Sequence, residues 1–123
     1  MFMKSTNYIR IQDGKIDSRL DVVFYVEDGV TFAYAPALDL VGYGKTSDEA
    51  KASFEVVIEE YFKFTIENNT LEADLRAHGW VSKEAESFNS PLFVDILKKN
   101  KQLQNVVNKD YSKVSEQFSY SVC

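Results

Sequence analysis

A chain of 123 residues with 45% apolar and 14% aromatic side chains has the length of one compact domain, and enough core-forming residues to exclude wholesale disorder. Its net charge of −5 argues against a surface built chiefly to neutralise phosphates. The longest apolar runs, Val22–Val26 and Phe32–Leu38, are far shorter than the roughly 20 residues of a membrane-spanning helix. The single cysteine, Cys123, excludes an intramolecular disulfide, so a cytoplasmic location without membrane contact is expected.

Tyr8-Ile9-Arg10-Ile11 predicts a first short strand, closed by a polar turn over Gln12-Asp13-Gly14-Lys15. Leu20–Val26 is rich in β-branched and aromatic residues and ends at Asp28-Gly29, after which Val30–Ala35 runs to Pro36. Two strand-like runs around an Asp-Gly turn predict an antiparallel hairpin. Leu40–Gly44 predicts another short strand, whose two glycines imply a bulge or a close backbone approach.

Thr46-Ser47-Asp48-Glu49 fits a capping box, in which the threonine oxygen accepts from an orphan amide and Glu49 reaches back. Ala50, Phe54, Val57, Ile58, Tyr61 and Phe62 then recur at helical spacing, predicting an amphipathic helix to about Glu67 with Lys51, Glu55, Glu59 and Lys63 outward. A shorter helix is predicted from Thr70 to Gly79, with Leu71 and Leu75 inward, Gly79 as left-handed cap and Trp80 as a buried anchor. After a polar stretch, Ser90-Pro91 predicts a cap and first helical residue. Leu92, Phe93, Ile96 and Leu97 follow at helical spacing, and Leu103, Val106 and Val107 predict a further turn or two beyond Asn100. Phe118, Tyr120 and Val122 alternate with serines, which predicts a half-buried strand.

The expected fold is therefore α+β: a small antiparallel sheet of three to four strands packed on one long amphipathic helix, with an extra short helix and a C-terminal helix and strand extension. Charge divides the chain near Ser90-Pro91. Residues 1–90, read as the α+β domain, hold nine basic against sixteen acidic side chains, a net of −7. Residues 91–123, read as an extension packed on that domain or on a dimer partner, hold five lysines against three acids, a net of +2.

Motifs for chemistry are absent. Gly44-Lys45-Thr46 resembles the end of a phosphate-binding loop, but the glycine required five residues earlier is Asp39, and a dinucleotide fingerprint fails at Ser47. His78 is the only histidine, and no zinc spacing or nucleophile elbow accompanies it; interaction with a helix carbonyl end explains it better. Asp21, Asp28 and Asp39 are scattered around strands and loops, and Glu55 and Glu59 share an outward helix face, so a solvated acidic surface is expected rather than acid–base work. No catalytic residue, cofactor or metal is assigned, and a non-enzymatic protein is expected.

Val22 to about Phe62 resembles the HicB-type antitoxin domain. The residues that carry the resemblance are Asp28 and Gly29 at the turn, Ala33, Pro36 and Leu38 in and after the second strand, and Gly44, Thr46, Glu49 and Ala50 at the entry to the long helix. About forty of the 123 residues are covered, and the order of elements is more diagnostic than any one residue. The resemblance implies an antitoxin, or a solitary relative, that caps a small basic RNase toxin. Many members also repress their own operon. Two alternatives accompany this reading: a DNA-binding autorepressor using the basic C-terminal segment, and a stand-alone dimeric module of unknown role. A homodimer is expected in either case, because an exposed strand edge is a natural seam.

Overall fold

The computed structural model describes residues 7–84 and 86–121; the amino-terminal residues 1–6, and Val122 and Cys123 at the other end, lie outside that range. The chain is α+β, and its described residues form a seven-stranded, antiparallel-paired sheet and four helices. The elements run β1 (Tyr8–Gln12), β2 (Lys15–Glu27), β3 (Val30–Ala35), β4 (Leu40–Gly44), α1 (Ser47–Glu67), α2 (Leu71–Ala77), β5 (Val81–Glu84), β6 (Ser87–Asn89), α3 (Phe93–Lys99), α4 (Lys101–Val107) and β7 (Tyr111–Ser121).

The thirteen-residue β2 is the spine of the sheet. β7 pairs with it along one edge from Lys15 to Tyr25. A strand has only two edges, so β1 and β3 share the other, β1 on Lys15–Arg19 and β3 on Val23–Glu27. The sheet therefore forks on that side, into β1–β6–β5 and β3–β4. Both hairpins that feed β2 turn through an Asp-Gly pair with positive φ at each residue, 52° and 73° at Asp13-Gly14 and 53° and 78° at Asp28-Gly29. That double left-handed conformation matches the right-handed twist of the flanking strands.

Period-two alternation in β2 sends its side chains to two separate cores. Ile16, Leu20 and Val22 face Ala50, Phe54, Ile58 and Phe62 of α1, and this core extends to Leu71, Leu75, Trp80 and Phe88. Val23 and Tyr25 point the other way, where Tyr34, Leu103 and Val106 close a smaller core roofed by α3 and α4. The sheet is thus covered on both faces around the β2–β3 hairpin. Aromatic side chains cross that second face in sequence, Tyr25 stacked on Phe32 at 5.2 Å and Phe32 tilted on Tyr43 at 6.4 Å.

The sheet is larger than the sequence pattern implied. β5 and β6 lie in the stretch that reads as polar loop, and β7 begins at Tyr111, seven residues before the visible alternation. α3 starts at Phe93, not at Pro91: its N-cap is the extended Leu92 rather than Ser90, whose hydroxyl donates to the carbonyl of Pro91. Asn100 both ends α3 and caps α4, accepting from the Leu103 amide at 3.0 Å.

Candidate functional site

The residues singled out from sequence gather into one structural unit, the β2–β3–β4 sheet with α1 across it. Asp28 and Gly29 form the turn of the hairpin. Ala33 and Leu38 are buried against α1 in the larger core, and Pro36 is buried at the strand's exit. At the helix entry the Thr46 hydroxyl accepts from the Glu49 amide at 3.1 Å. The Glu49 carboxylate reaches back one residue further than the simple capping box, to the Lys45 amide at 3.0 Å. Two orphan donors are satisfied, and Asp48 and Glu49 place negative charge at the positive end of the helix dipole.

The glycines of β4 explain how close α1 lies. A Cβ on Gly42 would strike the Phe54 backbone, and one on Gly44 would come within 2.5 Å of the Glu49 Cβ. Of the two readings left open for these glycines, close approach is the correct one. The Tyr43 amide is taken up by the Ser53 hydroxyl of α1 at 3.2 Å, so the helix seals part of the β4 edge.

Outward from the sheet, α1 exposes Asp48, Glu55, Glu59, Glu60 and Glu67. Of its two lysines, Lys51 is engaged by Glu116 of β7 at 3.0 Å, which holds the ammonium above its ordinary pKa, leaving Lys63 as the other base on this surface. The exposed face of α1 is thus strongly acidic, interrupted by the bare apolar side chains Val56 and Phe64.

Next to this unit lies a groove of about 590 Å³ between the β3–β4 connection, the end of α2 and the α3–α4 junction. Pro36, Asp39, His78, Pro91, Lys99 and Asn100 are among its walls. Asp39 is held at φ 57°, with its carboxylate accepting from the Tyr34 hydroxyl at 2.8 Å, and that hydroxyl accepts in turn from the Asn100 amide at 2.8 Å. Burial, with the Asp39 carboxylate adding to it, pushes the Tyr34 phenol up to about 12. On the opposite wall, His78 Nδ1 lies 2.8 Å from the Asp74 carbonyl. A carbonyl only accepts, so Nδ1 carries a proton and donates it here. The expected role of His78 at a helix carbonyl end is what the geometry shows. Asp74 also accepts from the Tyr61 hydroxyl at 2.5 Å, and burial together with that carboxylate raises the Tyr61 pKa.

The bonds of Tyr34, Asp39, Asn100 and His78 hold the elements around the groove together. Among the described residues, no three His, Cys, Asp or Glu side chains lie where they could share a metal ion. Asp21 is buried and tied to Asn7, whose side chain accepts from the Asp21 amide at 2.6 Å and donates to its carboxylate at 3.2 Å. Asp28 stands in an exposed turn and Asp39 in the groove, so the structure does not bring these three aspartates together as a constellation. No helix among the described residues is long and apolar enough to cross a membrane.

Two connections escaped the sequence reading: the Tyr34–Asn100 contact, and the bond from the Trp80 indole to the Ala37 carbonyl at 2.8 Å. Each joins segments far apart in the chain, and the one local signal was Asn100 itself, a helix-capping residue type between two apolar runs. No family model, curated protein or solved structure matches the chain.

Proposed function

We propose that this chain is a cytoplasmic, non-enzymatic protein-binding module of the HicB-like kind, an antitoxin or a solitary relative of one, whose partner is a small basic RNase toxin. The observation that carries the reading is the acidic exposed face of α1, which stands on a hairpin–strand–helix unit; the resemblance of that element order to the HicB-type domain supports it. Capping a toxin requires surface and charge rather than a reacting group. An acidic face opposite a basic partner gives fast, oriented encounter and suppresses wrong partners. Asp48, Glu55, Glu59, Glu60 and Glu67 supply such a face, and Val56 and Phe64 supply the apolar contacts that a docked surface would exclude from water.

The test is co-expression with the product of a neighbouring reading frame that encodes a small basic protein. A toxin whose growth arrest is relieved by this chain, and no longer relieved by the double variant Glu55→Lys/Glu59→Lys, supports the reading. Absence of any such neighbour, or relief that is indifferent to the two glutamates, removes toxin capping through α1. Gel-shift binding of DNA that is lost on deleting residues 91–123 would favour the autorepressor instead.

A further inference from the structure

We infer that the open face of the sheet across β7, β2, β1 and β6 binds a short single-stranded nucleic acid, with bases stacked on Tyr8 and Arg10 and phosphates held by Arg10 and Arg19. This inference is independent of the antitoxin reading.

Alternation along the strands decides what this face carries. Ile9, Leu20, Phe88 and Phe118 turn towards the core under α1, so Tyr8, Arg10, Arg19, Asn89 and Gln117 turn the other way. On that side α3 and α4 roof only the half around Val23, Tyr25 and Tyr34. Register lines up Gln117, Arg19, Tyr8 and Asn89 in one row across four strands, and Val81 of β5 extends it. Arg10 and Gln117 are exposed, and Tyr8, Arg19 and Asn89 are half-buried.

Two arginines converge on one ring. The Arg10 guanidinium lies 4.5 Å from the Tyr8 centroid and that of Arg19 lies 6.0 Å from it. Neither arginine is paired with a carboxylate among the described residues. Arg19 Nε is buried with no acceptor, a costly arrangement that holds the stem in place without using its charge inside the fold. The nearby acids are already engaged. Asp17 is 3.7 Å from the Lys15 ammonium and accepts from the Ser119 hydroxyl at 2.9 Å, while Asp21 is buried and tied to Asn7. Two uncompensated guanidiniums therefore stand together on a chain whose net charge is −5.

Shape and charge select the ligand. A row five strands wide is a surface roughly 19 Å across at the usual strand spacing, which suits a polymer better than a small metabolite in need of a concave site. A protein partner calls for an apolar centre, and in this row Val81 is the one exposed large aliphatic side chain. Duplex DNA presents a phosphate about every 1.7 Å of its axis, a density that two arginines on an acidic chain do not match. A single strand asks for fewer phosphate contacts and draws much of its affinity from stacking. The Tyr8 ring and the Arg10 guanidinium are stacking planes, the guanidinium fork fits phosphate oxygens, and the amides of Asn89 and Gln117 flank them as donors and acceptors for base edges.

The experiment is fluorescence anisotropy on the full chain with labelled oligo(U), oligo(A) and oligo(dT) of about ten nucleotides, beside a duplex of the same length. Saturable single-strand binding is expected, about ten-fold or more tighter than the duplex, with a log–log salt slope of about −1.4 for two phosphates. Arg10→Gln, at an exposed position that leaves the fold intact, should flatten that slope to about −0.7. Tyr8→Leu should weaken binding about ten-fold and Tyr8→Phe should retain it, both with an unchanged far-UV spectrum. Lys98→Gln/Lys101→Gln removes as much charge from the C-terminal segment as Arg10→Gln/Arg19→Gln removes from the sheet, and should leave affinity unchanged. No binding at low salt overturns the inference. So does equal binding of the duplex, displacement by oligo-glutamate of equal charge, or a loss of affinity that follows the lysine pair instead of the arginines.

Discussion

The Tyr34 hydroxyl and the Asn100 side-chain amide, sixty-six residues apart, meet at 2.8 Å and tie the helical C-terminal segment to the β2–β3 hairpin. One oxygen receives from Asn100 and donates to Asp39, and the same asparagine caps α4. A buried phenol with both partners supplied is more than a packing residue: its removal strands an amide and a carboxylate together. Tyr34→Phe is therefore expected to cost about 1–3 kcal/mol in urea unfolding. Asn100→Ala should cost about as much or more, because the cap is lost as well.

The same phenol gives a pH signature. Its native pKa of about 12 lies above the unfolded value of 10.0. The folded state holds the proton longer, so this contribution to stability is intact below pH 10 and is lost as pH rises towards 12. Absorbance titration at 295 nm of the native chain should show late-ionising tyrosine, and Tyr34→Phe should remove part of that late fraction. Tyr61, also raised, accounts for another part.

Glycines of two kinds separate cleanly by substitution. Gly42→Ala and Gly44→Ala drive a methyl into the backbone or first carbon of α1, and each should destabilise by about 3 kcal/mol or more, beyond ordinary overpacking, because the obstacle is main chain. At Gly29 the space is open but φ is +78°, so Gly29→Ala should cost only the left-handed penalty, about 1–2 kcal/mol. Denaturation midpoints that rank Gly29→Ala as the worst of the three would contradict the packing of α1 on β4.

Trp80 is the sole tryptophan, 2% exposed, with its indole N–H given to the Ala37 carbonyl. Its emission should be blue-shifted and poorly quenched by acrylamide until the global transition. Trp80→Phe keeps much of the apolar volume but leaves that carbonyl unpaired, which should cost about 1–3 kcal/mol. An early red shift, ahead of the far-UV transition, would show that the end of α2 opens independently of the sheet.

Thr46→Ala should cost about 1 kcal/mol, the usual worth of an N-cap. Thr46→Ser should recover most of it, since only the hydroxyl acts.

The parts of the fold that local chemistry dictates were legible. The Asp-Gly turns, the Thr46 cap and the apolar stripe from Ala50 to Phe62 each state their structure within a few residues. Where the pairing partner lies far away, the pattern failed. Tyr111 to Gln117 is mostly serine and charge because one face of β7 is open and its inward residues, such as Glu116, are satisfied by an ion pair rather than by burial. β6 is three residues long, so Phe88 alone marks its buried face. Pro91 misled because a proline can precede a helix without entering it. The acidic face of α1 was visible as spacing, whereas the Tyr34–Asp39–Asn100 connection was invisible, since no periodicity encodes a contact between a strand and a distant helix cap.

The pairing of β2 with β7 also sets an order of events. Ser18 bonds the carbonyl of Phe118 across a separation of 100 residues, and Ser119 bonds Asp17 across 102. Contacts this distant are costly to close and slow to find. During synthesis β2 emerges early with its hairpins and waits, one edge bare, until residues 111–121 have been made. In that interval the nascent chain offers the ribosome-proximal environment eleven residues of unclaimed strand, and a chaperone or a neighbouring nascent copy can reach them before β7 does.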